Sequence, residues 1–268
     1  MSTARSLAQA LEVLRADPSR SAILLDIDGT LAPIVRHAED AHVPEPTRAP
    51  LIQVARRYGL VACVTGRQAA TARRIVSLGT ITYLGNHGAE LLRGGATEVE
   101  LDPDIADWAH RVRAFAEREL DDDDLRRLRI RGEDKDIIAA FHWRGAPDQD
   151  AAEAFVRAIG ERAEEDGLWT HWGRKVLEVR PPVELDKGRG IEHLLEDAGM
   201  RAGVYVGDDR TDLDAFAGLR RLVDAGHLEQ ALCVGVRSDE TPSELEAQSD
   251  VLVDGTRGVR GLLEALAA

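Results

Sequence analysis

Short apolar runs alternate with helical patterns along most of this chain, and no other feature restricts its fold as strongly. The runs are continuously apolar, as strands covered by helices on both faces usually are. Such alternation is typical of a parallel sheet with helices packed on it, so the sequence predicts an α/β fold. The strands are predicted at 22–28, 59–66, 80–88, 202–209, 231–236 and 250–255, and two of the helices at 47–59 and 188–199, the second ending at Gly199.

Residues 105–184 interrupt this alternation. Their patterns indicate two helices and about four strands joined by short turns, which is typical of a small α+β unit. We therefore expect an inserted domain at 105–184 within a core formed by 1–104 and 185–268. Prolines near the two junctions predict hinges near 103–106 and 182–186.

Charge and motif content exclude several classes of function. The chain has 34 lysines and arginines against 48 aspartates and glutamates, a net charge of −14, whereas nucleic-acid binding needs a basic face. No apolar run approaches the roughly 20 residues of a membrane helix. The N-terminal segment carries charges where a secretory signal is apolar, so a cytoplasmic location is expected. Cys63 and Cys233 cannot form a disulfide framework, and zinc, serine-hydrolase and P-loop motifs are absent.

Acidic residues follow two of the predicted strands directly. Asp26 and Asp28 end the first run, and Asp208, Asp209 and Asp212 follow the run at 202–209. In open α/β sheets, ligands bind at the carboxyl ends of the strands. Clustered carboxylates repel one another unless a cation lies among them, and hard oxygen ligands suit Mg²⁺. The sequence therefore predicts a magnesium site at this edge of the sheet.

Two further segments are suited to an anion. Thr65, Gly66 and Arg67 follow a predicted strand, where a hydroxyl and free backbone N–H groups at a helix start can bind phosphate. Lys187 opens a predicted helix, where its charge opposes the helix dipole and requires an anionic partner. The metal and these cations would attract an anionic substrate locally, because ordinary salt screens the overall negative charge beyond roughly 10 Å.

Structural roles are the alternatives for these residues. Asp28 precedes a glycine and could cap a turn. Thr211 or Asp212 could cap the helix that follows. Lys187 could be an ordinary solvated lysine.

Together, the four segments resemble the phosphatases of the haloacid dehalogenase superfamily. They read DxDGT, TGR, a lysine and GDDxxD, in that order. The resemblance implies a Rossmann-like, doubly wound parallel core with residues 105–184 as a C2-type cap. It also implies that Asp26 is the nucleophile, that Asp28 is the general acid and base, and that Lys187 holds the phosphoryl group. The implied phosphate-binding residues are Thr65, Gly66 and Arg67, and the implied Mg²⁺ ligands are Asp26, the Asp28 carbonyl and Asp208, with Asp209 and Asp212 in support.

Within that superfamily, the chain resembles the trehalose-6-phosphate phosphatases. The segments that carry this resemblance are Asn86–Glu90, Phe141–Arg144, Lys175–Pro181 and the extended motif that begins at Gly207. Leu213, Phe141 and Trp143 depart from the common pattern, which bears on sugar contacts more than on chemistry. The resemblance implies sugar contacts from His87, Glu90, Arg144, Lys175, Glu178 and Arg180.

The sequence thus predicts a Mg²⁺-dependent phosphatase that converts trehalose 6-phosphate to trehalose and phosphate through an aspartyl-phosphate. One alternative keeps the chemistry and changes the sugar phosphate to sucrose 6-phosphate, mannosyl-phosphoglycerate or a hexose phosphate. A phosphosugar mutase and a sugar-phosphate-binding regulator are the others. Neither a nucleic acid nor a membrane is an expected partner.

Overall fold

The computed structural model of the protein describes residues 7–35, 37–239 and 241–268. The chain divides into two compact units, one formed by Met1–Glu100 with Leu185–Ala268 and the other by Leu101–Glu184. Among the described residues, no helix has the length and apolar character that crossing a membrane requires.

The described residues form twelve strands and ten α-helices. The strands are β1 (Ser21–Leu25), β2 (Leu60–Val64), β3 (Thr82–Gly85), β4 (Glu90–Leu92), β5 (Glu100–Leu101), β6 (Arg131–Asp134), β7 (Ala139–His142), β8 (Trp169–Gly173), β9 (Val176–Arg180), β10 (Ala202–Gly207), β11 (Gln230–Arg237) and β12 (Val251–Asp254). The helices are α1 (Leu7–Ala16), α2 (Glu45–Arg57), α3 (Ala69–Val76), α4 (Pro103–Leu120), α5 (Asp123–Arg127), α6 (Gln149–Glu165), α7 (Lys187–Leu195), α8 (Asp212–Asp224), α9 (Ser243–Gln248) and α10 (Gly255–Ala267).

The first unit is built on an eight-stranded sheet with the order β12-β11-β10-β1-β2-β3-β4-β5. The pairs from β12 to β3 are parallel, and β4 returns antiparallel to β3. Leu25, the last residue of β1, pairs with Val206 on one side and Cys63 on the other. The carboxyl ends of these three neighbouring strands therefore meet at one edge of the sheet.

Both faces of this sheet are buried, which explains why its strands are continuously apolar. Ile23 and Leu25 of β1 pack in a cluster with residues of α1, α2, α3 and α10, whereas Ala22 and Leu24 pack in a second cluster with α7, α8 and α9. Adjacent side chains of a strand point to opposite faces. The predicted doubly wound α/β core is confirmed. The two cysteines are free and buried within it.

The second unit contains a four-stranded antiparallel sheet in the order β6-β7-β9-β8. Leu177 and Val179 of β9 pack in a core cluster with residues of α4 and α6. Glu178 and Arg180 alternate with them and lie on the opposite face. The short helix α5 was not predicted, so this unit has three helices among its described residues instead of the two expected.

Several predicted boundaries differ from the structure. The hinge expected near 103–106 falls in the first turn of α4, where Pro103 occupies an early helical position and Asp102 accepts a hydrogen bond from the Asp104 N–H. Helix α7 ends at Leu195 rather than at Gly199, which has a left-handed φ of 66° in the following turn. Strand β1 ends at Leu25, so the acidic residues after it are outside the strand.

Candidate active site

Three buried carboxylates lie together at the carboxyl edge of the core sheet. Oxygen atoms of Asp26, Asp208 and Asp212 all lie within 4.8 Å of one another. Asp26 directly follows β1, and its N–H donates to the Val206 carbonyl at 2.9 Å. Asp208 directly follows β10, the neighbouring strand. The parallel pairing of β1 with β10 is what brings these carboxylates together.

The donor set fits a hard divalent cation. Carboxylate oxygens are the ligands that such cations prefer. The loop after β1 leaves space for the Asp208 carboxylate, because a Cβ atom at Gly29 would lie 2.0 Å from Asp208 Oδ2. Gly29 also has a φ of 85°, which other residues rarely adopt. Thr30 Oγ1 donates to Asp208 Oδ1 at 3.1 Å and helps to hold this carboxylate in place.

Without a cation, two of these carboxylates, those of Asp26 and Asp208, resist ionisation. Burial, with contributions from Asp212 and Asp209, raises the pKa of Asp208 to about 7. Burial also raises the pKa of Asp26, against the opposing effect of Lys187. A cation needs these carboxylates in their ionised form. Cations and protons would therefore compete for this site.

Lys187 joins two of the three carboxylates. Its Nζ atom donates to Asp26 Oδ1 and to Asp212 Oδ1, each at 2.7 Å, and only 3% of the residue is exposed. Burial alone would lower the pKa of Lys187, but Asp212 and Asp26 raise it above its usual value. The predicted anionic partner of this lysine is confirmed, and the alternative of a solvated surface lysine is wrong.

Asp212 organises the loop after β10. Its Oδ1 accepts hydrogen bonds from Lys187 and from the Tyr205 hydroxyl at 2.6 Å. Its Oδ2 accepts from the N–H groups of Asp208 at 2.7 Å and Asp209 at 2.9 Å. Tyr205 was missed in the sequence because it lies within a continuously apolar strand, where an aromatic residue normally indicates core packing.

The alternative interpretation expected Thr211 or Asp212 to cap α8, and Thr211 does not do so. It occupies the N-cap position, but its side chain accepts no capping hydrogen bond. Its N–H and hydroxyl both donate to Asp209 Oδ1 at 2.7 Å. Asp209 therefore stabilises the turn that carries the acidic motif.

Arg67 is paired with Asp28. Its Nε and Nη2 atoms donate to the two carboxylate oxygens of Asp28 at 2.6 and 2.7 Å, and Nη1 donates to the Ala38 carbonyl at 3.0 Å. The sequence interpretation had assigned Arg67 to phosphate and Asp28 to proton transfer without predicting this pair. Thr65 directly follows β2 and is 2% exposed, and its Oγ1 accepts the Arg67 N–H at 3.2 Å.

Glu90 is buried and bonded to two donors of the protein. It is 4% exposed, Oε2 accepts the Ala69 N–H and Oε1 accepts the Asn86 side-chain amide, each at 2.6 Å. The sugar contact expected of this residue stays a prediction, and the structure shows its carboxylate bonded to these two donors inside the core. The neighbouring His87 lies beside Gly66, where a Cβ atom would come within 2.7 Å of the imidazole ring.

In the second unit, taken by itself, Glu178 lies between two cations. It forms ion pairs with Arg180 and, at 3.3 Å, with Lys135, a residue that sequence reasoning missed. Burial would raise the pKa of Glu178, but Arg180 and Lys135 lower it to about 2. Lys175 lies in the turn before β9 with a φ of 65°, and Arg144 donates to the nearby Arg174 carbonyl at 3.3 Å.

The family model described as Trehalose-phosphatase matches residues 24–250. The chain belongs to the trehalose-phosphatase family. Among curated relatives, the trehalose-phosphate phosphatase of Mycobacterium marinum is 36% identical over 204 residues, which are 74% of this chain and 51% of that protein. The probable trehalose-phosphate phosphatase D of Arabidopsis thaliana is 30% identical over 229 residues, 78% of this chain and 60% of that protein. The chain thus spans about half to three fifths of the length of these two relatives.

Solved structures confirm the fold of this family member. A trehalose-6-phosphate phosphatase related protein has a TM-score of 0.70 at 23% identity, covering 92% of this chain and 96% of that one. The C-terminal domain of the Candida albicans trehalose-6-phosphate phosphatase has a TM-score of 0.71 at 19% identity, covering 100% and 99%. A haloacid dehalogenase-like hydrolase from Bacteroides thetaiotaomicron has a TM-score of 0.59 at 15% identity, covering 91% and 98%.

Proposed function

We propose that this chain hydrolyses trehalose 6-phosphate to trehalose and inorganic phosphate, with Mg²⁺ as its cofactor. The observation that carries the proposal is the buried Asp26 carboxylate, which lies 2.7 Å from Lys187 Nζ and within 4.8 Å of an Asp208 oxygen. Membership of the trehalose-phosphatase family supports the substrate. A sugar phosphate as the partner and the cytoplasmic location expected from the sequence belong to the same proposal.

The ligands proposed for Mg²⁺ are Asp26, Asp208 and the Asp28 carbonyl. Asp212 and Asp209 support the loop that carries Asp208 through the hydrogen bonds described above. When bound, the metal supplies positive charge that offsets the negative phosphoryl oxygens. Lys187 adds a second positive charge beside Asp26, and the Thr65 loop supplies neutral N–H donors for the same oxygens.

The proposed reaction takes place in two displacements on phosphorus. The Asp26 carboxylate forms a bond to phosphorus as the bond to the sugar oxygen breaks, and Asp28 gives its proton to that oxygen. Water then attacks the aspartyl-phosphate, Asp28 takes the proton from the water, and phosphate leaves with the Asp26 carboxylate restored. Between the two steps, Arg67 is positioned to hold the ionised form of Asp28.

We assign sugar recognition to the second unit, which we propose acts as a cap. Its candidate residues are Arg144, Lys175, Glu178 and Arg180. Glu178 supports this assignment because Lys135 and Arg180 keep it ionised, so that it remains a strong acceptor for sugar hydroxyls. His87 remains a prediction as a sugar contact from the core.

A panel of phosphate esters tests the function. We expect phosphate release from trehalose 6-phosphate to exceed release from sucrose 6-phosphate, mannosyl-phosphoglycerate and glucose 6-phosphate, because a site built for matching hydroxyls rejects other sugars strongly. Each ester is assayed for released phosphate with excess MgCl₂ and after treatment with EDTA, which is expected to abolish release. Faster release from another ester would contradict the substrate. Isomerised sugar phosphate without free phosphate would indicate a mutase, and binding without turnover would indicate a regulator.

Stabilisation by Mg²⁺ is expected to increase with pH. A carboxyl group whose pKa is raised on folding binds protons more tightly in the folded chain, so the metal-free protein loses stability as pH rises from about 4 towards 7. Ionised Asp208 binds Mg²⁺ and offsets this loss. We therefore expect the increase in Tm caused by MgCl₂ to grow between about pH 5 and pH 8.

The matched variant for this measurement is Asp208→Asn, which removes the titrating group and retains the shape of the side chain. Its Tm is expected to respond weakly to MgCl₂ at every pH in this range. An increase in Tm that is large and independent of pH in the parent protein would contradict the placement of the metal at Asp208.

A further inference from the structure

A buried carboxylate outside the acidic cluster connects three segments of the first unit, which are β4, the turn at Asn86 and the start of α3. Glu90, at the start of β4, accepts the side-chain amide of Asn86 and the backbone N–H of Ala69, both at 2.6 Å. Ala69 is the first residue of α3, whose own N-cap residue, Gln68, makes no capping hydrogen bond. A carboxylate at a helix N-terminus both accepts an unpaired N–H and interacts favourably with the helix dipole.

Gly85 makes the contact between Glu90 and the start of α3 possible. A Cβ atom at Gly85 would lie 2.3 Å from the Ala69 nitrogen and 2.7 Å from Glu90 Oε2. Any other residue at this position would therefore separate the carboxylate from the start of α3. Close approach of the Glu90 carboxylate to the helix is thus built into the local sequence.

The turn that Glu90 holds is strained. Asn86 and His87 have φ values of 45° and 58°, in the left-handed region that is sterically unfavourable for L-residues. Such backbone persists only where its surroundings fix it, and Asn86, which is fully buried, is held by Glu90. Loss of this hydrogen bond would remove one of the contacts that fix the turn.

The Asn86–Gly88 turn also fixes the position of the proposed phosphate-binding loop at 65–67. The Asn86 N–H donates to the Arg67 carbonyl at 2.8 Å, and the His87 N–H donates to the Thr65 carbonyl at 3.0 Å. Thr65 and Arg67 are therefore both bound through their backbone carbonyls, which sets where the loop's N–H groups and the Thr65 hydroxyl lie.

The same turn packs against the helix that carries Lys187. A Cβ atom at Gly190 of α7 would lie 2.5 Å from the Gly88 Cα atom, so the two backbones are in direct contact. Movement of the turn would therefore also displace the first turn of α7, which begins with Lys187.

We propose that Glu90 is a positioning residue for phosphoryl binding, acting through the Asn86–Gly88 turn on Thr65 and Lys187, and not a sugar ligand. The inference rests on the proposed phosphatase function but not on the identity of the sugar. A shift of about 1 Å in a binding group can lower the rate by as much as about 10²-fold, so loss of this carboxylate is expected to have a measurable kinetic effect.

The test compares two substrates that share only the phosphoryl group. For Glu90→Gln, kcat and KM are measured with trehalose 6-phosphate and with p-nitrophenyl phosphate, together with the inhibition constant of inorganic phosphate. We expect kcat/KM to fall by the same factor, about 10- to 100-fold, for both substrates, and inhibition by phosphate to weaken. Glu100→Gln, which alters an exposed carboxylate of the same sheet, is the matched control and is expected to leave all three values unchanged.

Two outcomes would overturn the proposal. A loss confined to trehalose 6-phosphate, with p-nitrophenyl phosphate and inorganic phosphate unaffected, would identify Glu90 as a sugar ligand. A lower Tm with unchanged kinetic constants for the folded enzyme would identify it as a purely structural residue. If the parent protein hydrolyses p-nitrophenyl phosphate but not trehalose 6-phosphate, the proposed substrate fails while the effect of Glu90→Gln on the first substrate still decides this proposal.

Reversal of the hydrogen bond provides a second test. Asn86→Asp places a carboxylate against that of Glu90, where neither group can donate, whereas Glu90→Gln leaves two amides that can pair only after one of them turns over. Combined, the new glutamine can donate to the new aspartate while its carbonyl still accepts the Ala69 N–H. We expect the double variant to recover most of the phosphate affinity that Asn86→Asp loses. No recovery would contradict the role assigned to this hydrogen-bond network.

Discussion

Replacement of Asp26 by asparagine is expected to lower the rate of phosphate release by at least about 10³-fold, equivalent to roughly 4 kcal/mol of activation free energy. The amide is a poor nucleophile and cannot form the aspartyl-phosphate. The variant should remain folded, because asparagine has nearly the same shape and Lys187 retains its 2.7 Å contact with Asp212. Stopped-flow measurement of phosphate release, alongside thermal unfolding, checks both expectations.

Asp28→Asn provides the matched contrast, since it alters the second carboxylate of the same motif. Its nucleophile is intact, and p-nitrophenolate leaves without needing a proton, so an acid-quenched reaction should trap phosphate covalently on this variant. No covalent phosphate is expected on Asp26→Asn. Substantial phosphate release by Asp26→Asn, or phosphate trapped covalently on this variant, would refute the assignment of the nucleophile.

The carboxylates at the sheet edge could be predicted because chain order and strand pairing determine their position. An acidic residue directly after a buried parallel strand must lie at the carboxyl edge, as Asp26 and Asp208 do. The need of Lys187 for an anionic partner followed in the same way, from the unfavourable dipole at the start of a helix. Each of these inferences needed only local pattern and sheet topology.

The remaining features depend on contacts that a local pattern does not encode. Tyr205 resembles any other aromatic core residue until its hydroxyl is found 2.6 Å from Asp212. Lys135 is one charge in a polar segment, and it reaches Glu178 only because β6 pairs with β7 and β7 with β9. Glu90 was assigned to sugar because it belongs to a motif, whereas its burial and its two donors depend on where β4 and α3 lie in the folded chain.

Lys187→Met is expected to have the largest effect on stability. The methionine side chain is similar in length but uncharged, so Asp26 and Asp212 lose the buried cation that lies 2.7 Å from each. Removing one partner of a buried ion pair typically lowers the free energy of unfolding by about 3–5 kcal/mol, because it leaves an uncompensated buried charge. The loss, measured by urea denaturation without metal, should diminish as pH falls and Asp26 becomes protonated, since burial raises the pKa of Asp26.

Arg221→Met is the matched control, because Arg221 forms an ion pair with Glu192 between α8 and α7 but is half exposed. Exposed pairs contribute little, so its unfolding curve is expected to lie close to that of the parent protein. MgCl₂ should restore part of the stability of Lys187→Met, because a divalent cation can replace the missing positive charge among the same carboxylates. Equal losses for the two variants, or a loss for Lys187→Met that does not change with pH, would mean that the lysine does not neutralise this cluster. The positive charge that the proposed mechanism requires at this site would then have to come from the metal alone.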